Sequence, residues 1–389
     1  LAKGSQVWIP SPQLAVTQPQ PSQPSAPAVT DVNRPASIAL LLPFGVNTTD
    51  RKDEKNRMIE YYEGFLLALN EAKQNGFSAD IYVYDVKNLA EAKTITGKPE
   101  MKSMNLIIGP AYDENIDLVS DFSKNNNIPM VIPFSSKNTS YQTNPYIFQI
   151  NTPQPVLYSN AGESFIKEFK NQHIIILSTS ADENDRTDFT QALMMQLRQY
   201  DIPYQEATVS PTSMKPLEAA LSQNAGNVIV PAFSSSASLE KILPEILKLK
   251  AKPIGKNIKL FGYPEWQTYS KIRHKYLHPL DVYIFSPFYA SLSSEYTATF
   301  RTTYMKAYTK DIIPSYPKYG LLGYDTGKYF FSAIQKNGYA IDSYSSIIYT
   351  GLQTNFHFER VNYWSGFVNQ HVFFIHFAPD NTVKATSYR

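Results

Sequence analysis

Cysteine is absent from the 389-residue chain. That removes disulfides, thiolate metal sites and cysteine nucleophiles together. It does not fix a compartment, because many exported bacterial proteins also lack cysteine. An excess of either charge is missing too: 36 Lys and Arg against 34 Asp and Glu leave a formal net charge of +2. A dedicated nucleic-acid binder concentrates a basic excess, so no nucleic-acid partner is expected. Long apolar runs are also lacking. The longest, Ile38 to Val46, covers about nine residues and is broken by Pro43, whereas a bilayer span takes about twenty. No transmembrane segment is therefore expected. The chain carries no G-x-G-x-x-G after a strand, no G-x-x-x-x-G-K-[ST], no H-E-x-x-H and no G-x-S-x-G. Dinucleotide, nucleotide, zinc-protease and nucleophile-elbow chemistry thus lose their usual frameworks. His371 and His376 sit five apart in a strand-like run, hence on opposite faces, a poor zinc pair. Neither a metal, a cofactor nor an enzymatic activity is expected.

What is present suits a folded protein of two lobes. Hydrophobic residues make up 43% of the chain, enough for a sizeable core, and the length exceeds one typical core. The first residue is Leu1, not Met, and the chain reads as a piece of something longer. From Ser11 to Pro35 the text is rich in Pro, Gln, Ser and Ala, with no charged residue between Lys3 and Asp31. Such a segment buries too little apolar area to offset chain entropy, and its prolines favour extended backbone. Residues 11–36 read as a semi-rigid linker; the competing reading is an arm packed on the domain.

From Ser37 onward short apolar runs recur: Ile38–Leu42, Ile81–Val86, Leu106–Ile108, Met130–Ile132, Ile174–Leu177, Val228–Val230, Ile258–Phe261 and Val282–Phe285. Strands covered on both faces read this way. Between them lie helical stripes: Ile59, Tyr62, Phe65, Leu66 and Leu69; then Phe189, Leu193 and Leu197; then Tyr296, Phe300, Tyr304 and Tyr308. The alternation predicts repeated βαβ units and an α/β fold of doubly wound parallel sheets. Thr354–Phe358 and Val372–Phe377 read as late strands with no helix between them.

The strand ends point to a site. Ile132 runs into Pro133-Phe134-Ser135-Ser136, Leu177 into Ser178-Thr179-Ser180, Val230 into Pro231-Ala232-Phe233-Ser234, and Phe261 into Gly262-Tyr263. Open parallel sheets bind ligands beyond the carboxyl ends of their strands. Hydroxyls there suit a polar solute, and Tyr112, Phe134, Phe233, Tyr263 and Trp266 are placed to stack on it. The alternative is that the Ser and Thr residues only cap the following helices. Asp182, Glu183, Asp185 and Asp188 form an acidic cluster, suited either to a cationic ligand group or to a helix N-terminus.

The order of these elements resembles the type I periplasmic solute-binding fold, nearest to the branched-chain amino-acid binding family. Ile38 to Pro43 looks like its first strand, Asn105 to Pro110 its third, and Pro129 to Pro133 its fourth. Asp281 to Phe288, then Phe300, Tyr304, Tyr308 and Pro314, then Gly323-Tyr324-Asp325, follow the family's late sequence, with Thr326 in place of its usual Ala. Gly351 to Phe358 resembles the closing strand, with Glu359 where Asp is common. The resemblance implies two lobes joined by three crossovers, with ligand in the cleft between them. Lobe one is expected over 37–152 plus 279–345, and lobe two over 153–278 plus 346–389.

The resemblance also implies roles for residues. The loop after the third strand supplies a ligand-binding hydroxyl in relatives, but Asp113 stands at that position here, and two carboxylates side by side repel. Ser136 keeps the hydroxyl of the loop after the fourth strand. Glu265, one residue out of register, stands for the acid that holds a ligand ammonium. The aromatic pair of the first lobe-two loop is replaced by Ser178 to Arg186. A free α-amino acid is therefore a doubtful ligand. The expected binding set is Tyr112, Asp113, Ser135, Ser136, Ser180, Asp182, Phe233, Ser234, Tyr263 and Glu265.

Gly4 to Pro10 resembles the close of a LysM repeat, a peptidoglycan-binding module, over residues 1–10. Together these resemblances imply a non-enzymatic solute-binding or sensing domain, periplasmic or elsewhere in the cell envelope. Its ligand would be small and polar: an amino acid, a peptide or a muropeptide-like molecule. The full-length form would be a lipoprotein, with peptidoglycan and a membrane transporter or cell-wall synthase as partners. The alternative is a ligand-free scaffold that regulates cell-wall synthesis enzymes through protein contacts.

Overall fold

The computed structural model describes residues 34–45, 52–180 and 183–388. The expected LysM-like remnant at 1–10, most of the linker expected at 11–36, and Asp182 lie outside the described residues. Ala36 is already the first residue of a strand.

The chain opens with β1 (Ala36–Leu42), α1 (Lys52–Gln74), β2 (Ala79–Asp85), α2 (Leu89–Thr96), β3 (Leu106–Ile108), α3 (Asp113–Asn126), β4 (Met130–Ile132) and β5 (Ile147–Gln149). It continues through α4 (Gln154–Phe169), β6 (His173–Thr179), α5 (Thr187–Gln199), β7 (Tyr204–Val209), α6 (Lys215–Ala220), β8 (Asn227–Pro231), α7 (Ser236–Lys250), β9 (Ile258–Gly262), α8 (Ser270–Ile272) and β10 (Val282–Ser286). Then come α9 (Glu295–Tyr308), α10 (Tyr319–Asn337), β11 (Phe358–Arg360), β12 (Phe367–Asn369), β13 (Val372–Phe377) and β14 (Val383–Tyr388).

These elements form two compact units, each around its own seven-stranded sheet. Unit 1 takes the described residues up to Pro153 and Ala290–Asn369; unit 2 takes Gln154–Tyr289 and the described residues from Gln370 on. The chain thus passes three times from one unit to the other. The first sheet runs β11-β12-β5-β4-β3-β1-β2, parallel except for the β11/β12 hairpin. The second runs β14-β13-β10-β9-β8-β6-β7, parallel from β7 to β10 and antiparallel beyond. This is the doubly wound, two-lobed α/β architecture expected from the alternation.

The division differs from the sequence expectation at two places. Residues 279–289 belong to unit 2, because Val282–Ile284 pair in parallel with Leu260–Gly262 of β9 and extend its sheet. Residues 346–369 belong to unit 1, because β12 adds alongside β5. The strand expected at Thr354–Phe358 is displaced as well: only Phe358 enters β11, and Phe356 makes an isolated bridge to Tyr349.

Burial follows chemistry. Ile38, Ala39, Leu40, Leu41 and Leu42 are all fully buried, so β1 is covered on both faces. The deepest face of α1 carries Met58, Tyr61, Gly64, Phe65 and Ala68. Ile59, Tyr62, Leu66 and Leu69 lie beside it, half-buried. The apolar stripe read from sequence is rotated because α10 packs on the small residues. A Cβ on Gly64 would lie 1.9 Å from the Gly320 carbonyl oxygen. On α9, Phe300 and Tyr304 are buried as expected, whereas Tyr296 is 78% exposed. In unit 2 the core is aromatic. Phe189, Phe261 and Phe285 stack on one another, and Phe165 and Phe374 meet Phe261 edge-on. Core packing therefore uses much of the Phe and Tyr content.

Candidate functional site

In unit 1 the loops after β3 and β4 lie at the carboxyl edge of the sheet. Asp113 is the exposed first residue of α3, with half-buried Tyr112 at its N-cap. Ser135 is buried, and its hydroxyl accepts the backbone N–H groups of Lys137 (3.2 Å) and Asn138 (3.0 Å). Its oxygen thus serves the turn. Half-buried Ser136 is different: its hydroxyl has no hydrogen-bond partner among the described residues. The Phe134 ring packs edge-on to Tyr61 at 4.9 Å and against Tyr319 at 5.5 Å. The Arg57 guanidinium lies 5.9 Å above the Tyr319 ring, within the range of a cation–π contact. Arg57 and Tyr319 extend the expected site with a cation and an aromatic surface. Neither was legible in advance, because each sits in a helix rather than in a loop that directly follows a strand.

In unit 2 the loops after β6, β8 and β9 are tied into one polar network. Asn184 closes the first loop, its side chain accepting from the Thr179 N–H and donating to the Thr179 carbonyl, both at 2.9 Å. The Arg186 N–H donates to the Ala232 carbonyl at 2.8 Å. Its guanidinium donates from Nε (3.1 Å) and Nη2 to a single oxygen of Glu265, and from Nη1 to the Asp185 carbonyl at 2.7 Å. The buried Ser234 hydroxyl donates to that same Glu265 oxygen and accepts from the Trp266 indole N–H at 3.1 Å. The Ser234 N–H donates to Asp185 at 2.7 Å. Burial opposes the Arg186 charge, but Glu265 and Asp185 beside it more than offset this and raise its pKa above the ordinary arginine value.

This arrangement changes several expected roles. Glu265 is engaged by Arg186 and Ser234, so it stands as an ion-pair partner rather than an open acid. Phe233 is fully buried in the unit 2 core. Tyr263 is buried too, its hydroxyl donating to the Pro231 carbonyl at 2.6 Å, and burial pushes its pKa well above that of an ordinary tyrosine. Neither ring offers a free face for stacking. Ser180 is exposed at the end of β6, where its N–H donates to Val209. Of the acidic cluster, Glu183 accepts from Ser238 and Lys241 (both 2.8 Å), and Asp188 accepts from Gln154 at 2.8 Å. Helix capping by strand-end hydroxyls is real at Ser235, whose oxygen accepts from the Ser238 N–H at the start of α7. Arg186, like Arg57 and Tyr319, was absent from the expected set. Its signal was the replacement of the expected aromatic pair by a charged loop ending in an arginine. Among the described residues no group of three His, Asp or Glu is placed to hold a metal ion, and no helix is long and apolar enough to cross a membrane.

These two strand-end rims belong to a ligand-binding fold. The receptor family ligand binding region matches residues 28–346, and the chain belongs to that family. No curated protein sequence matches the chain. Among solved structures, a provisionally assigned branched-chain amino acid ABC transporter from Rhodospirillum rubrum is similar, with TM-score 0.65 and 14% identity. That match covers 91% of this chain and 100% of that one. A branched-chain amino acid ABC transporter periplasmic ligand-binding protein from Burkholderia xenovorans LB400 has TM-score 0.59 and 11% identity, covering 91% and 95%. An ABC transporter substrate-binding protein from Sphaerobacter thermophilus has TM-score 0.57 and 15% identity, covering 92% and 97%. At such identities the likeness is one of fold, and the fold is that of type I periplasmic binding proteins.

Proposed function

We propose that the protein is a non-enzymatic solute-binding or sensing domain of the cell envelope that holds a small polar ligand at its strand-end loops. The observation that carries this reading is membership of the receptor family ligand binding region over residues 28–346. Ser136, Tyr112 and Asp113 would meet the ligand in unit 1, with Arg57 and Tyr319 beside them. In unit 2 the exposed Ser180 and the outer side of the Arg186–Glu265 pair would do so. Because Glu265 already carries three donated hydrogen bonds, a peptide or muropeptide-like ligand suits these rims better than a free α-amino acid. An ABC transporter as receiving partner is supported by the names of the similar structures. Attachment to peptidoglycan is supported by the LysM-like text at 1–10, and a lipoprotein form belongs to the same cell-envelope reading.

The test is thermal melting against a panel of amino acids, short peptides, muropeptides and sugars. A ligand at about 100 times its Kd stabilises the folded state by about 2.7 kcal/mol. At least one peptide or muropeptide should raise the midpoint, and Ser136→Ala should reduce that rise. A panel without effect at millimolar concentration sinks the reading. It would favour the second one, a ligand-free regulator of cell-wall synthases, which the self-satisfied Arg186–Glu265–Ser234 network supports. Recovery of a cell-wall synthase on the immobilised protein from an envelope extract checks that alternative.

A further inference from the structure

The β11/β12 hairpin presents two aromatic residues where folding has no use for them. Asn362 to Ser365 form its turn, with the Ser365 N–H donating to the Asn362 carbonyl at 3.2 Å. Tyr363 and Trp364 occupy the two central positions, which short polar residues and glycine usually fill. Tyr363 is 87% exposed and Trp364 69%. Their rings stand at 82° with centroids 5.6 Å apart, making an open corner.

The corner is held firmly. The Asn362 side-chain oxygen accepts the Trp364 N–H at 3.0 Å, and the Ser365 hydroxyl accepts the Asn362 N–H at 2.9 Å. The hairpin base is pinned to the segment before β5. Gly366 donates to the Tyr141 carbonyl at 2.6 Å, and a Cβ there would lie 2.6 Å from the Ile147 carbonyl oxygen. Arg360 donates to the Pro145 carbonyl at 3.1 Å, to the Ser365 carbonyl and to Asp342. Much of the ordering cost of binding is therefore already met in the free protein.

The chemistry around the corner selects a partner class. With its oxygen fixed by Trp364, the Asn362 amide nitrogen is oriented, exposed and without a partner among the described residues. Among the described residues of the hairpin no charge is free: Arg360 is taken by Asp342 and two carbonyls, and Glu359 faces His357 at 3.3 Å. A cationic collar that would hold anionic lipid headgroups is missing from the hairpin. One ring face as floor, a second ring as wall and a neutral amide donor match a flat, uncharged ring with an apolar face and hydroxyls at its edge. We propose that Tyr363, Trp364 and Asn362 form a binding platform for a neutral pyranose glycan, separate from the strand-end loops.

The experiment uses the whole chain titrated with two neutral hexasaccharides, maltohexaose and the hexamer of N-acetylglucosamine. Calorimetry reports binding, and the fluorescence change of the wild type less that of Trp364→Ala isolates the Trp364 signal from those of Trp8 and Trp266. At least one sugar should bind in the micromolar to millimolar range, and Trp364→Ala should weaken it at least tenfold with an unchanged melting temperature. Asn362→Ala should weaken it severalfold; since that variant can loosen the turn, Tyr363→Ala serves as the second probe. No binding of either sugar, or equal binding by Trp364→Ala, overturns the proposal. So does Trp364-dependent binding to phosphatidylcholine vesicles, or Trp364-dependent self-association in light scattering, with no response to sugar.

Discussion

At the residue scale, the unit 2 rim turns on Arg186. Replacing it with Met keeps the side-chain stem but leaves Glu265 beside Ser234 with neither of its guanidinium donors. Breaking a buried pair costs about 3–5 kcal/mol; this pair is partly solvated, so Arg186→Met should destabilise by about 1–3 kcal/mol. Urea unfolding checks this, and the added change Glu265→Gln should recover part of the loss, because it removes the stranded charge.

Asp325 gives a second prediction. It is fully buried and accepts N–H groups from Leu352 (2.8 Å), Gln353 (2.8 Å) and Thr354 (3.0 Å). Burial, only partly countered by those donors, raises its pKa to about 7. An unfolded aspartate titrates at about 3.9. Between those values the folded state holds the extra proton, so the Asp325 contribution to stability falls as pH rises from about 4 to about 7 and is flat above. Glu60, also raised by burial, acts in the same direction. Urea midpoints across this range should slope downward in the wild type and less steeply in Asp325→Asn. That variant should also lose about 2 kcal/mol at the acid end of this range, where Asp325 is neutral in both states, because its amide nitrogen faces backbone N–H donors, and the gap to the wild type should narrow as pH rises.

At the element scale, what could be read in advance was what is buried on both faces. The strands β1, β3, β4, β6, β8, β9, β10 and β13 appear as near-continuous apolar text because helices or neighbouring strands cover them. Of the other six, β2 was legible as Ile81–Val86 and β11 only as the displaced run Thr354–Phe358, while four left no apolar run. β5 and β12 are three residues each, too short to show a period. β7 and β14 are sheet edges, and β14 is exposed along almost its whole length. Helix existence was legible, but the orientation of α1 was not, because its contact with α10 is made by glycine and alanine, which leave no apolar signature. That contact gives the element-scale prediction. Gly64→Ala puts a methyl 1.9 Å from the Gly320 carbonyl oxygen, so the two helices must separate. A loss of about 1–3 kcal/mol is expected from overpacking, visible as a lower midpoint in thermal or urea unfolding.

At the scale of the whole molecule, the lack of cysteine, excess charge and nucleotide motifs excluded chemistries, and strand order then supplied the fold. The place of the site was legible as strand ends, since parallel sheets leave their ligand surfaces there. The role of each residue was not, because a serine or an acid at a strand end reads the same whether it faces a solute or a neighbour. Ser135, Ser234 and Glu265 proved to be engaged within their own units, while the Ser136 hydroxyl has no partner among the described residues. The unit boundaries at 289 and 369 were likewise hidden, since only pairing shows which sheet a late strand joins.

The central claim is that the strand-end loops are a binding surface. The most direct measurement is hydrogen exchange with and without the ligand that gives the largest thermal shift. The account predicts added protection in the loops after β3 and β4, after β6 and β8, or in both sets, with the amino-terminal strand ends unchanged. Protection confined to those opposite ends, or no change at saturating ligand, would contradict it.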